Sequence, residues 1–109
     1  MAQIDEYFKI LFEKKGSDLH LQEDKIPQAR INGHLAPISS EILSHERIEQ
    51  LLSELLPEAQ WQKFLDHGDL DFAYEPGGPA RFRANYFRHF FGMGAIFRLI
   101  PSVIRSFEE

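Results

Sequence analysis

Five arginines, Arg81, Arg83, Arg88, Arg98 and Arg105, crowd the last thirty residues, against only Glu108 and Glu109. A guanidinium is always charged and offers a rigid fork of donors that matches the oxygens of phosphates and carboxylates. Strand alternation along Arg81-Phe82-Arg83-Ala84-Asn85-Tyr86 puts Arg81 and Arg83 on one face, roughly 6.5–7 Å apart. If the next strand folds back as a hairpin, Arg98 joins that face, with Ile96 and Ile100 pointing the same way. Two chemistries are then open. The arginines can converge on an anion such as a triphosphate, or they can pair with Asp69, Asp71 and Glu75 on the preceding strand, as cross-strand charges do. Residues 1–79 carry 7 basic and 15 acidic side chains, a net of -8, whereas residues 80–109 carry a net of +3. That asymmetry describes an anion-facing end on an acidic body.

The remaining constellations carry less. Gly92-Met93-Gly94 lacks the Gly-x-x-x-x-Gly-Lys-Ser/Thr pattern of a phosphate loop and reads as a hairpin loop with close backbone approach. Asp69 and Asp71 read as solvated or salt-bridged carboxylates rather than as a metal or acid–base pair. His20, His34, His45, His67 and His89 show no zinc-ligand spacing, and His20 reads as a strand-end or interface histidine. No Gly-x-Ser-x-Gly nucleophile motif is present. Tyr86, Phe87, Phe90 and Phe91, interleaved with arginines, invite an RNA-binding reading. Alternation buries Phe82 and Tyr86 opposite the arginines, however, and the domain is acidic, so no nucleic-acid partner is expected.

These residues need a scaffold. At 109 residues the chain is expected to form a single domain. It has no cysteine, so disulfides and thiolate metal sites are excluded and a reducing compartment is expected. The acidic start, Met1-Ala2-Gln3-Ile4-Asp5-Glu6, does not resemble a signal peptide, and no apolar run approaches the ~20 residues of a membrane span. A soluble domain without membrane insertion is therefore expected.

Ile4, Tyr7, Phe8, Leu11 and Phe12 share one helical face, with Gly16 as the expected C-cap. Ser17 to Leu21 alternates as a strand. Gln28 to Ile38 reads as a hairpin with Asn32-Gly33 in a type I′ turn. Ser44 can cap a second helix with the stripe Ile48, Leu51, Leu52, Leu55 and Leu56. Pro57 suits the first turn of a third helix, which carries Trp61, Phe64 and Leu65 and stops at Gly68. A three-stranded meander follows, turning at Pro76-Gly77-Gly78-Pro79, then looping from His89 to Met93 into a strand from Gly94 to Ile100. The order α-β-β-β-α-α-β-β-β predicts an α+β fold: a PAS-like antiparallel sheet with helices packed on one face.

Three segments together resemble one family. Gly16-Ser17-Asp18-Leu19-His20-Leu21 is similar to a Gly-Ala-Ser-Asp-Leu-His-Leu segment near the start of twitching-motility (PilT-type) pilus retraction ATPases, and Arg30-Ile31-Asn32-Gly33 matches their Arg-x-x-Gly turn. Asp71-Phe72, Ala80-Arg81-Phe82-Arg83-Ala84-Asn85 and the run Gly92 to Pro101 match the last strands of their N-terminal domain without a change of spacing. Phe90-Phe91 depart from the family, which often has polar or basic residues there.

The resemblance implies a secretion-type ATPase domain whose phosphate loop and catalytic glutamate lie in a C-terminal ATPase domain absent from this chain. Arg83 and Arg98 then match the arginines that the N domain supplies to the ATP γ-phosphate, in an arginine-finger role, with Arg81 supporting and Arg88 and Arg105 as surface charges. ATP and Mg2+ are implied as cofactors of the full-length protein, with none held by this domain alone. The implied partners are its own C-terminal domain, neighbouring subunits of a homohexamer and the inner-membrane pilus machinery, and the implied location is cytoplasmic, peripheral to the inner membrane. The short segment ahead of the first helix favours retraction over the related pilus-extension or type II secretion motors. A free-standing PAS-like sensing or interaction domain is the competing reading.

Overall fold

The computed structural model describes residues 3–77, 80–89 and 92–100. Helix α1 (Asp5–Glu13) is followed by strands β1 (Asp18–Gln22), β2 (Gln28–Ile31) and β3 (His34–Pro37). Helices α2 (His45–Ser53) and α3 (Glu58–His67) come next, then β4 (Asp69–Gly77), β5 (Ala80–His89) and β6 (Gly92–Ile100). The six strands form one antiparallel sheet in the order β3-β2-β1-β6-β5-β4. The expected α+β architecture is present, with β1 and β6 joining the early hairpin to the late meander at the centre of the sheet.

Apolar periodicity decides which face is covered. Leu19 and Leu21 of β1, Phe82, Ala84 and Tyr86 of β5, and Ala95 and Phe97 of β6 are buried, each alternating with a residue of the opposite face. The helices close over this face with Ile4, Tyr7, Phe8 and Leu11 from α1, Ile48, Leu51 and Leu52 from α2, and Phe64 from α3. Phe8 is central. Its ring lies 4.5 Å from Phe82, 5.1 Å from Phe97 and 5.5 Å from Tyr74, centroid to centroid. Each such ring contributes roughly 1.5–3 kcal/mol through burial. Replacing Phe8 by alanine would cost about 3–5 kcal/mol.

Local chemistry sets the ends. Ser44 caps α2, its hydroxyl accepting from the Arg47 amide at 3.1 Å. Asn32 (φ 53) and Gly33 (φ 82) form the left-handed pair of the β2–β3 turn, as the Asn-Gly sequence requires. Pro57 is the N-cap of α3, just ahead of the first turn expected for it. The C-cap expectation at Gly16 needs correction. Helix α1 ends earlier, at Lys14, and the left-handed residue is Lys15 (φ 57). Gly16 serves packing instead: a Cβ there would stand 2.5 Å from Leu11 Cδ1 and 3.1 Å from the Arg30 carbonyl oxygen. The expected loop from His89 to Met93 is also shorter, because β5 runs through His89 and β6 starts at Gly92. Phe90 and Phe91 lie outside the described residues, as do the turn centre at Gly78-Pro79 and Arg105.

Candidate functional site

The helix-free face of the sheet carries the other half of each alternating strand, a mixture of charged, polar and a few apolar residues. Register places one row of residues straight across five strands. Arg30 on β2 opposes Asp18 on β1, Asp18 opposes Arg98 on β6, Arg98 opposes Arg83 on β5, and Arg83 opposes Ala73 on β4. The next row reads Gln28, His20, Ile96, Asn85 and Asp71. An open pocket of about 400 Å³ lies over the junction of the two rows, lined by Asp71, Arg83, Asn85, Ile96 and Arg98.

The two arginines there are not equivalent. Arg98 Nε lies 3.5 Å from Asp18 Oδ2, with the carboxylate side chain only 10% exposed and the arginine side chain 70% exposed. Arg83 is exposed and has no ion pair among the described residues. Arg81 lies one step along β5, its Nε 2.9 Å from Glu75 Oε2, so the expected cross-strand pairing with β4 holds for this arginine. Asp71, another expected partner, instead accepts from Asn85 Nδ2 at 2.8 Å.

His20 lies in the middle of β1 rather than at a strand end, with Ile96 and Gln28 as its neighbours. Its Nε2 is 3.9 Å from Asp18 Oδ2 and, among the described residues, has no hydrogen-bond partner. Burial holds its pKa below the ordinary imidazole value. Asp18 pulls the other way, and Arg30 and Arg98 add to the lowering. A neutral His20 leaves Asp18 to the arginines.

Gly94 shapes the floor beside this row. A Cβ there would meet the Leu21 carbonyl oxygen at 2.6 Å and Phe87 Cζ at 2.8 Å. The close backbone approach expected around these glycines is thus real, but it lies within β6 rather than in a loop. A larger hollow of about 810 Å³ between α1 and the segment leading to α2 includes Tyr7, Glu41 and Arg47 in its lining. Its arginine is already engaged, since Tyr7 Oη and Arg47 Nε both donate to Glu41. The sheet face, where Arg83 has no ion pair among the described residues, is the stronger candidate for an anion.

The expected trio therefore shares one face, with Arg83 and Arg98 together in the pocket and Arg81 beside them. Ile96 lies on the Arg98 face, as expected, and the residues of the site that sequence reasoning did not single out are Asp18 and Asn85. Asp18 is adjacent to Arg98 only because β1 and β6 pair, a relationship that neither segment announces. Among the described residues, no helix is long and apolar enough to cross a membrane.

The architecture is the expected one, an antiparallel sheet with helices on one face and arginines on the other, and comparison with known proteins identifies the family. No family model matches the chain. Over 106 residues it is 34% identical to the type IV pilus retractation ATPase PilT of Pseudomonas aeruginosa, an alignment covering 97% of this chain and 31% of that protein. It is 31% identical over 83 residues to a twitching motility protein of Neisseria gonorrhoeae, covering 76% of this chain and 22% of that one. The crystal structure of the pilus retraction motor PilT with bound ADP superposes with a TM-score of 0.80 at 29% identity, over 94% of this chain and 30% of that one. The Legionella pneumophila ATPase DotB shares the fold, with a TM-score of 0.77 at 21% identity over 90% of this chain and 28% of that one. The chain belongs to the PilT-type pilus retraction ATPases and corresponds to their N-terminal domain. It spans about a third or less of the length of these relatives.

Proposed function

We propose that residues 1–109 form the N-terminal domain of a hexameric type IV pilus retraction ATPase, and that Arg83 and Arg98 reach the γ-phosphate of ATP held by a C-terminal phosphate-loop domain. The observation that carries this reading is the exposed pair itself. Two arginines stand directly opposite on adjacent strands and line an open pocket, and among the described residues only one of them has an ion pair. Like charges so placed are unfavourable, and a triphosphate between them reverses the sign. The donor set fits phosphate oxygens: forked, permanently charged and set on strands rather than loops.

ATP with Mg2+ supplies the phosphoryl group when bound. This chain's residues bring positive charge to the oxygens where negative charge accumulates, and arginine fingers in comparable systems contribute roughly 10³–10⁵ in rate. Arg81, already paired with Glu75, supports the strand and the local positive field. Neighbouring subunits and the inner-membrane pilus machinery are the partners in this reading, at the cytoplasmic side of that membrane.

The test uses the full-length protein. Arg83→Ala and Arg98→Ala should each lower ATP turnover sharply while the hexamer stays assembled by light scattering, and near-normal turnover in both would sink the reading. The 109-residue chain alone, which has no phosphate-loop motif, should release no phosphate from ATP above background.

A further inference from the structure

We propose that Asp18 is the positioning residue of this site: it holds Arg98 through Nε, orienting the guanidinium beside Arg83, and Arg98 serves phosphate only while held. This inference rests on the phosphate reading above and extends it to a residue on a different strand.

Three observations support it. The first is the contrast in burial. Asp18 has a short side chain, 10% exposed, on a strand paired on both sides, whereas Arg98 is 70% exposed on a long, flexible stem. A fixed carboxylate and a mobile cation make an anchor and its load. Held by Nε, Arg98 keeps both Nη groups, which have no acceptor among the described residues, available for a ligand.

The second is selectivity. Asp18 is in register with two arginines, Arg30 on one side and Arg98 on the other. Arg30 turns away, its Nη1 donating to the Gly33 carbonyl at 3.2 Å in its own hairpin. His20 also lies near the carboxylate, but burial keeps its imidazole toward the neutral form. Arg98 is the permanent cation that Asp18 engages.

The third is geometric. Arg98 has Asp18 on one flank and Arg83 on the other. A pull on Nε toward β1 fixes the Arg98 guanidinium at a set place on the β1 side of Arg83, so that the two can bracket an anion. Without the carboxylate, Arg98 has the same charge but no fixed place, and side-chain ordering must then be supplied at the moment of reaction.

The two ways in which Asp18 could act predict opposite signs. If it acted only through its charge, Asp18→Asn would make the face more positive, so ATP would bind more tightly and turnover would hold or rise. As a positioning residue, Asp18→Asn should lower kcat of the full-length ATPase by roughly ten- to a hundredfold with KM little changed. It should also cost nothing further in the Arg98→Ala background.

The same substitution in the 109-residue chain is read by 15N NMR of the arginine side chains. The Arg98 Nε–H signal should be protected from exchange in the parent and lose that protection in Asp18→Asn, with Asp18→Ser as the second variant should the first not fold. An unchanged Nε–H signal overturns the proposal whatever the turnover. So does a lowered KM at full kcat, or a loss that adds to that of Arg98→Ala. Full turnover in both Arg83→Ala and Arg98→Ala, with a signal that responds to Asp18, instead sinks the phosphate reading and leaves the pairing standing, which separates the two failures.

Discussion

Arg83 and Arg98 are direct cross-strand partners on β5 and β6, yet only Arg98 has an ion pair among the described residues. The two positions therefore have opposite stability signatures. Arg83→Gln removes one of two facing like charges and should leave the chain as stable as before, or more stable by up to about 0.5 kcal/mol. Arg98→Gln leaves the nearly buried Asp18 carboxylate without its cation and should cost about 1–2 kcal/mol. Urea unfolding of the two variants measures this. Equal losses would mean that the row does not have the asymmetry described.

Another ion pair gives the chain a pH signature. Glu23, between β1 and β2, has Oε1 3.1 Å from His45 Nδ1 at the start of α2, and the same oxygen accepts from the Met93 amide at 3.2 Å. The hydrogen bond from His45 is the main cause of Glu23's lowered pKa, and the bond to Glu23 is the main cause of His45's raised one. A helix N-terminus disfavours a cation, so Glu23 outweighs the dipole here.

The raised histidine contributes stability that is complete below its ordinary value and lost as pH rises through the raised one. The lowered glutamate contributes above its ordinary value and loses that contribution as pH falls through the lowered one. The pair thus stabilises most between about pH 4.5 and 6.5, the two ordinary values. Subtracting the melting temperature of Glu23→Gln from that of the parent should give a difference that is largest near pH 5.5 and shrinks by pH 8.5. The glutamine retains an acceptor for Met93. A difference flat in pH would show that the pair contributes no charge-dependent stability.

Tyr86 ties the sheet to the end of α2. It is fully buried, and its hydroxyl donates to the Leu52 carbonyl oxygen at 2.8 Å. Burial pushes the phenol pKa far above its ordinary value, so it remains a donor throughout the stable pH range. Helix C-terminal carbonyls need such partners. Tyr86→Phe keeps the ring contacts with Phe64 and Phe72 but removes that donor, and should cost about 1 kcal/mol. A variant as stable as the parent in denaturant titration would show that the Leu52 carbonyl is satisfied without it.

How much of this was legible in the sequence depends on the range of each interaction. Period-two alternation is local, so the split of Arg81 and Arg83 from Phe82, Ala84 and Tyr86 could be read directly from β5, and the Asn32-Gly33 turn from its two residues. The place of Arg98 followed from assuming one hairpin. Asp18 was out of reach, because its contact depends on β1 lying against β6, and pairing between distant segments leaves no periodic trace in either. Gly16 misled for a related reason. A glycine after a helix suggests a left-handed cap, but Lys15 takes that conformation while Gly16 is required by Leu11 and by the neighbouring strand. The family resemblance supplied what the residues alone left open, a reason to read the arginines as facing phosphate rather than only the acids of β4.

Gly94 offers the sharpest check on the packing beneath the site. A methyl group at this position would stand 2.6 Å from the Leu21 carbonyl oxygen on β1 and 2.8 Å from the Phe87 ring. The ring is a side chain and can turn, but the carbonyl belongs to the ladder that holds β1 to β6 and cannot retreat without loosening the pairing of Gln22 with Gly94. Gly94→Ala should therefore destabilise the chain by about 1–3 kcal/mol. Adding Phe87→Ala should not restore stability, since it relieves only the movable contact. Because the same ladder sets Asp18 against Arg98, the Arg98 Nε–H signal should also weaken in Gly94→Ala. Full recovery of stability in the double variant would place the clash on the ring alone and remove the claim that Gly94 is needed for the approach of β1 to β6.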